Sequence, residues 1–447
     1  MELGQTYRLV IEGYDMNGFG VGYLDNRVVF VEGAMKGEDV IVKIINIHKK
    51  YAFAEVVKIL TKSEFRCEAI CPYFGECGGC DLMHMPYEIE KEIKENKVKN
   101  TLKLTDDVKF NPIIQNDNIL GYRNKVMVPF QRTIDDEVIC GFYAKKSHCI
   151  IPMDKCVISN DIANNIIHLI KRYLNVFHVS IYDEVTHSGL FREVMIRNTK
   201  NNDFMVVLVV TKDYNFKGLI DLLTNEFPQI KSIYLNINSK QTNVVLSNEF
   251  KLVYGDSVIF EDILGLKFQV SASSFMQVNH DQCQKLYTEA FKMANLTKDM
   301  NVIDAYCGMG SITLNIAKRV KHVTGIEVVD QAIINANENK KINNIENASF
   351  ICGKCEDEIQ RLATKEKIDV IFVDPPRKGC DEAFLDTVIK MQIPKIIYIS
   401  CNVATLQRDV EILKKNGYKL EEVTPCDLFS RNSHVECVVS LTKKLDN

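Results

Sequence analysis

The stretch "VIDAYCGMGSITL", residues 302–314, decides the fold. An apolar run with β-branched residues reads as a buried strand. An acid, Asp304, and two glycines, Gly308 and Gly310, then precede a run that reads as a helix. Glycines at such a turn let the backbone approach a ligand at a helix N-terminus. For the motif alone, a plain strand–helix turn is the competing reading. The stretch starts an alternating pattern, with strands expected at 301–306, 322–327, 348–353, 369–374 and 395–400 and helical segments between them. That pattern implies a doubly wound, Rossmann-like parallel sheet. Two closing strands, near 417–427 and 434–442, would add an antiparallel edge. Thr313 stands where a nicotinamide site would want a third glycine. Glu327 ends the next strand, where a carboxylate can accept both ribose hydroxyls. The pair favours S-adenosylmethionine over NAD and leaves an NAD oxidoreductase as a distant alternative.

Upstream, residues 1–62 alternate apolar and polar at period two and are broken by Gly and Asp turns. About five short strands in so few residues imply a small β-barrel of OB type. Tyr14, Phe19, Lys49, Lys50 and Tyr51 are its candidates for contacting single-stranded nucleic acid, or else core and rim. Residues 63–270 begin with a Cys- and Gly-rich segment and a charged helical run from about Tyr87. Mostly strands follow, with one helix at about 160–175, so an antiparallel α+β middle region is expected. The expected division is 1–62, 63–270 and 271–447.

The 447 residues carry a net charge of −4, so any nucleic-acid binding must be local. Basic stretches at 91–100, 122–126 and 143–148 are candidates, though each taken alone reads more readily as a solvated face. No apolar run reaches membrane-spanning length and the N-terminus does not read as a signal peptide, so a cytoplasmic protein is expected. Fifteen cysteines without an export signal suggest metal binding, catalysis or burial rather than disulfides.

Two strand ends carry the chemistry. "DVIFVDPPRKG" (369–379) places Asp374 before two stiffening prolines. Arg377 stands where an amine methyltransferase would carry a base-stacking aromatic, which weighs against amine methylation. "IIYISCN" (396–402) ends in Cys401, just before a helical run whose N-terminus can stabilise a thiolate. A thiolate suits methylation of a ring carbon: addition at C6 of uracil makes C5 nucleophilic. Glu436 interrupts an apolar strand in "SHVECVV" (433–439), where a carboxylate is costly unless paired or functional. Read singly, Cys401 is a small core residue and Glu436 an edge-strand charge. Together with Asp374 and the glycine turn, they read as a site.

In this order "DAYCGMGSITL", "GIEVVDQAI", "DPPRKG", "YISCNVATLQRDV" and "SHVECVV" resemble the RNA (uracil-5-)-methyltransferases. "SFMQVN" (274–279) resembles that family's motif before the cofactor domain, the N-terminal barrel resembles a TRAM RNA-binding domain, and the 23S ribosomal RNA branch is the nearest. The resemblance implies Cys401 as the nucleophile at C6 and Glu436 as the base that removes the C5 proton. It implies Asp374 at the uracil edge and in the cofactor site. Gln277, Tyr306 and Glu327 would contact S-adenosylmethionine, with Gly308 and Gly310 admitting it. Ser430 replaces the proline of a Phe-Pro common in the family and Arg431 follows, so this loop is expected to differ in the RNA it accepts.

By spacing alone, Cys67, Cys71, Cys77 and Cys80 are a possible four-thiolate zinc site. The resemblance instead implies a [4Fe–4S] cluster on Cys71, Cys77, Cys80 and the distant Cys156, with a scaffolding or RNA-facing role and Cys67 left over. The expectation is S-adenosylmethionine-dependent formation of 5-methyluridine in 23S rRNA. The alternatives are the same chemistry on the T-loop uridine of tRNA, or a non-catalytic RNA-binding iron–sulfur protein.

Overall fold

The computed structural model describes residues 1–145, 147–242 and 244–444. Six strands come first: β1 (Thr6–Val10), β2 (Gly13–Tyr14), β3 (Gly20–Leu24), β4 (Arg27–Glu32), β5 (Asp39–Ile47) and β6 (Tyr51–Thr61). They form one sheet in the order β1-β5-β6-β4-β3-β2, antiparallel except for the β4–β6 pair. Alternating residues such as Val29, Val31, Val40, Val42 and Ile44 fill a core of their own, as period-two strands require. The sixth strand, beyond the five expected, is the two-residue β2.

A helix, α1 (Tyr87–Leu102), and a short strand, β7 (Lys109–Phe110), follow. The middle region holds β8 (Lys125–Arg132), β9 (Val138–Tyr143), β10 (Ile150–Pro152), α2 (Asp161–Val176), β11 (Phe191–Asn198), β12 (Phe204–Val210), α3 (Lys217–Glu226), β13 (Ile230–Ile237) and β14 (Phe250–Gly255). Its seven strands run in the order β10-β9-β8-β11-β12-β13-β14. The expected all-antiparallel sheet needs one correction: β12 and β13 are parallel, because α3 supplies the crossover that a parallel pair demands. Helices α2 and α3 cover one face. On the other face Met195, Met205, Val207 and Tyr234 join the core of the C-terminal region, so β12 is buried along its whole length.

A hairpin, β15 (Ile259–Ile263) and β16 (Leu266–Val270), leads into α4 (His280–Ala294). Then come β17 (Asn301–Ala305), α5 (Ser311–Ala317), β18 (His322–Glu327), α6 (Asp330–Ile342), β19 (Ala348–Cys352), α7 (Cys355–Ala363), β20 (Val370–Val373), α8 (Glu382–Lys390), β21 (Lys395–Ser400), α9 (Val403–Lys415), β22 (Tyr418–Cys426) and β23 (Glu436–Lys443). The eight-stranded sheet runs β19-β18-β17-β20-β21-β23-β22-β7. Five strands are parallel, as the alternating pattern predicts. Of the closing hairpin, β23 is inserted between β21 and β22 and runs antiparallel to both, so β22 again points the way of the five. β7 extends the sheet by pairing with β22, so the segment after α1 lies along the C-terminal sheet. No helix among the described residues is long and apolar enough to cross a membrane.

Candidate active site

Register gathers the chemistry at one edge. Ala305 lies beside Ile326 and Val373, and Val373 beside Tyr398. Tyr306, Glu327 and Asp374 therefore leave their strands side by side, at the carboxyl edge where open α/β sheets hold ligands. β23 runs the other way with Cys437 opposite Ser400, so Glu436 enters the sheet where Cys401 leaves it.

The glycine turn is built for close approach. Tyr306, Gly308 and Gly310 all have left-handed backbone, with φ of 62°, 53° and 84°. A Cβ on Gly310 would stand 2.8 Å from the Phe350 ring, whereas at Gly308 it would meet only open space. Thr313, the residue that displaced the third glycine, donates its hydroxyl to buried Asp304 at 2.5 Å. The Glu327 carboxylate accepts from the backbone N–H groups of Gly308, Val328 and Val329 at 3.2, 2.8 and 3.0 Å. It is thereby fixed beside the turn. Gln277 is buried, and its carbonyl accepts from Asn124 at 3.0 Å. Its loop reaches the cofactor edge through Asn335 of α6, which donates to Ser274 at 3.3 Å. Buried Arg197 donates to the carbonyls of Ser271 and Ser274 and holds the same loop from the middle sheet. These donors, cradles and acceptors fit S-adenosylmethionine.

At the chemical end, Asp374 and Glu436 accept no hydrogen bond from any described residue. Glu436 is 2% exposed, and burial with the charge of Asp374 pushes its carboxyl up to about 8. Asp374 retains some solvent contact yet is surrounded by protein, as the floor of a cleft is, and burial pushes it up to about 7. Cys401 is half-buried. Asn402 caps α9 by accepting from the Ala404 N–H at 3.0 Å, so Cys401 does precede a helix N-terminus. Its surroundings pull against that helix end: burial, then Glu436 and Asp374, push the thiol up to about 11, outweighing Arg377. Arg377 itself is tied to this edge, its carbonyl accepting from Asn402 at 3.2 Å and Thr405 at 3.3 Å.

The loop before Glu436 is held from within. Lys94, fully buried on α1, reaches Glu90 at 2.7 Å, Asp427 at 2.5 Å and the Phe429 carbonyl at 3.0 Å. Ser430 donates to Asp427 at 2.6 Å and accepts from Asn116 at 2.9 Å. The backbone N–H of Arg431 donates to Glu90 at 2.7 Å. Ser430 and Arg431 are both buried, so their side chains serve to hold the loop from inside. The same network removes Lys94 from the basic stretch at 91–100. In the stretch at 143–148, Lys145 pairs with Glu32 and Asp81; Lys146 lies outside the described residues. In 122–126, Tyr122 and Asn124 are buried.

Away from this edge, Cys71, Cys80 and Cys156 pack on a small core of Met83, Tyr122 and Ile158. Burial pushes the thiols of Cys71, Cys77 and Cys80 up, and the nearness of Cys156 pushes each further. The fold thus brings Cys156 near the cysteine-rich segment, and thiolates are soft donors of the kind that suit iron–sulfur ligation. No three His, Cys, Asp or Glu side chains among the described residues stand close enough to hold a single metal ion. Cys67 is exposed. On the N-terminal barrel, Phe19 and Tyr51 join Phe30, His48 and Phe53 in one aromatic cluster beside exposed Lys49 and Lys50. Sequence reasoning missed His48, Phe30 and Phe53, although the alternation along β4 and β6 puts Phe30, Tyr51 and Phe53 on one face.

Comparison with known proteins agrees with this geometry. Residues 1–57 match the TRAM domain, and residues 122–444 match the tRNA (Uracil-5-)-methyltransferase family. An uncharacterised RNA methyltransferase of Clostridium acetobutylicum is 42% identical, over 98% of this chain and 97% of its own length. Another from Bacillus cereus is 37% identical, over 99% and 98%. The solved tRNA (uracil-54, C5)-methyltransferase of Pyrococcus abyssi, in complex with S-adenosyl-L-homocysteine, superposes with a TM-score of 0.78 at 26% identity, covering 97% of this chain and 99% of that one. The chain belongs to the tRNA (uracil-5-)-methyltransferase family, as an S-adenosylmethionine-dependent RNA methyltransferase with a TRAM domain at its N-terminus.

Proposed function

We propose that the chain methylates C5 of uridine in 23S rRNA through a covalent adduct at Cys401. The observation that carries the chemistry is the single strand edge where Cys401, Glu436 and Asp374 meet beside the glycine turn. Cys401 loses its proton to solvent and its sulfur bonds to C6, while the displaced π electrons pass to C5 and O4. S-adenosylmethionine supplies an electrophilic methyl group to C5. The Glu436 carboxylate then takes the C5 proton, that C–H pair forms the C5–C6 double bond, and the C6–S bond breaks to return the Cys401 thiolate. Asp374 holds the uracil edge and lines the cofactor site. Gln277, Tyr306 and Glu327 hold the cofactor, with Gly308 and Gly310 admitting it.

In this reading Cys71, Cys77, Cys80 and Cys156 hold a [4Fe–4S] cluster whose contribution is a crosslink between two segments, since methyl transfer needs no electron. The proposed units remain 1–62, 63–270 and 271–447. Support for 23S rRNA comes from the combination of TRAM barrel and cysteine segment. The same reaction on a tRNA uridine is the second reading, favoured by the full-length likeness to the Pyrococcus enzyme. Methyl incorporation into purified 23S rRNA and purified tRNA decides between them. Product in 23S rRNA alone is expected, and product in tRNA alone would overturn that choice.

A further inference from the structure

The cysteine-rich loop is hydrogen-bonded directly to the loop that ends in Glu436. The backbone N–H groups of Asp81 and Leu82, immediately after Cys80, donate to the Arg431 carbonyl at 2.9 and 3.2 Å. The Gly79 carbonyl, immediately before Cys80, accepts from the Asn432 side chain at 3.2 Å. The Asp81 carboxylate accepts from the Ser433 N–H at 3.2 Å and the Ser433 hydroxyl at 3.1 Å. Ser433 stands three residues before Glu436. Tyr122, from the small core under the thiols, donates to the Ser430 carbonyl at 2.9 Å.

Arg431, between these contacts, has a φ of 68°, a left-handed conformation that a non-glycine residue keeps only where its surroundings over-determine it. Its N–H is taken by Glu90 on one side and its carbonyl by Asp81 and Leu82 on the other. The second grip is made by backbone N–H groups and persists whatever side chain stands at 81; what the Asp81 carboxylate adds is its hold on Ser433. Asp81 also meets Lys145 at 3.3 Å, and Lys145 pairs with Glu32 of β4. One carboxylate thus joins the barrel, the thiol loop and the base loop.

We propose that Asp81 is a positioning residue for the catalytic base: through Ser433 the cysteine-rich loop sets the register in which Glu436 meets C5. The proposal rests on the reading of Glu436 as that base. It predicts a step-specific defect. Misplacing Glu436 slows removal of the C5 proton while sulfur addition and methyl transfer proceed, so the methylated Cys401 adduct accumulates. Loss of stability by itself lowers turnover without storing adduct.

The test uses full-length protein, S-adenosylmethionine, and 23S rRNA or tRNA, whichever accepts methyl. It reads both turnover and the protein–RNA adduct that survives denaturation. Asp81→Ala is expected to lower kcat and KM together by roughly tenfold to a hundredfold, leaving kcat/KM near the wild-type value, and to hold most of the enzyme as adduct in the steady state. Asp81→Asn keeps an acceptor for Ser433 and is expected to return close to wild type. Ser433→Ala, which removes one of the two bonds, is expected to store adduct to a lesser degree. Glu436→Gln serves as the benchmark. If it stores adduct while Asp81→Ala and Ser433→Ala do not, the positioning role is overturned and the base assignment stands. If Glu436→Gln stores none, both fall.

Discussion

Glu436 is buried, accepts no hydrogen bond from a described residue and lies near a second acid, so its ionisation works against folding. Its carboxyl titrates at about 8 in the folded chain against 4.5 when unperturbed. A carboxyl raised on folding contributes stability that is full below about pH 4.5 and lost as pH climbs through about 8. Integrated at 1.36 kcal/mol per pKa unit, the displacement makes the wild type about 4 kcal/mol less stable at pH 9 than at pH 5 on account of this one group. Glu436→Gln is nearly isosteric with the protonated acid and cannot ionise. The two proteins should therefore unfold alike at pH 5. At pH 9 the variant should melt higher by about 10 °C in the transition of the C-terminal sheet, at 2–4 °C per kcal/mol for a unit of this size. Scanning calorimetry or fluorescence-monitored melting without RNA or cofactor measures the gap. A gap that is constant from pH 5 to pH 9, or a wild type that melts higher at pH 9, would refute the reasoning.

Other expectations follow from the same geometry. Lys94→Met leaves Glu90 and Asp427 buried without their cation and should destabilise the chain by about 3–5 kcal/mol, read by urea unfolding. Gly310→Ala forces a Cβ against Phe350 from a left-handed backbone and should weaken S-adenosylhomocysteine binding at least tenfold in titration calorimetry. Asp374→Asn removes the charge that helps push Glu436 up, so the acid limb of the single-turnover rate profile should move to lower pH. Cys156→Ser should lower the iron and sulfide content of the isolated protein while leaving S-adenosylhomocysteine affinity within about threefold, since the thiols lie away from the cofactor edge.

The C-terminal sheet was legible because buried parallel strands are continuous apolar runs, and glycines and acids mark their ends. The strands expected at 301–306 and 395–400 appear within one residue of those bounds. Helix α3 was not legible: "KGLIDLLTNE" is short, lies between buried strands and has no side-chain cap, so its period is swamped by its flanks. The buried face of α1 was hidden for another reason. Glu90 and Lys94 look like surface charges, and their burial is made tolerable by partners more than three hundred residues on, Asp427, the Phe429 carbonyl and the Arg431 N–H. Motif order pointed to Cys401, Glu436 and Asp374, but sequence cannot weigh a helix N-terminus against two buried carboxyls, and the thiol is raised rather than lowered. The contacts that steady the base loop, from Asp81 to Ser433 and from Glu90 to Arg431, join segments whose adjacency exists only in the fold.

The sulfur–carbon bond itself can be caught. RNA carrying 5-fluorouridine offers a C5 substituent that no carboxylate can remove as a proton, so the adduct cannot collapse. Wild-type protein incubated with such RNA and S-adenosylmethionine, denatured, digested and sequenced by mass spectrometry should yield a methylated fluorouridine bonded to the peptide containing Cys401. A bond at any other cysteine, or methylated RNA formed with no covalent species at all, would contradict the account.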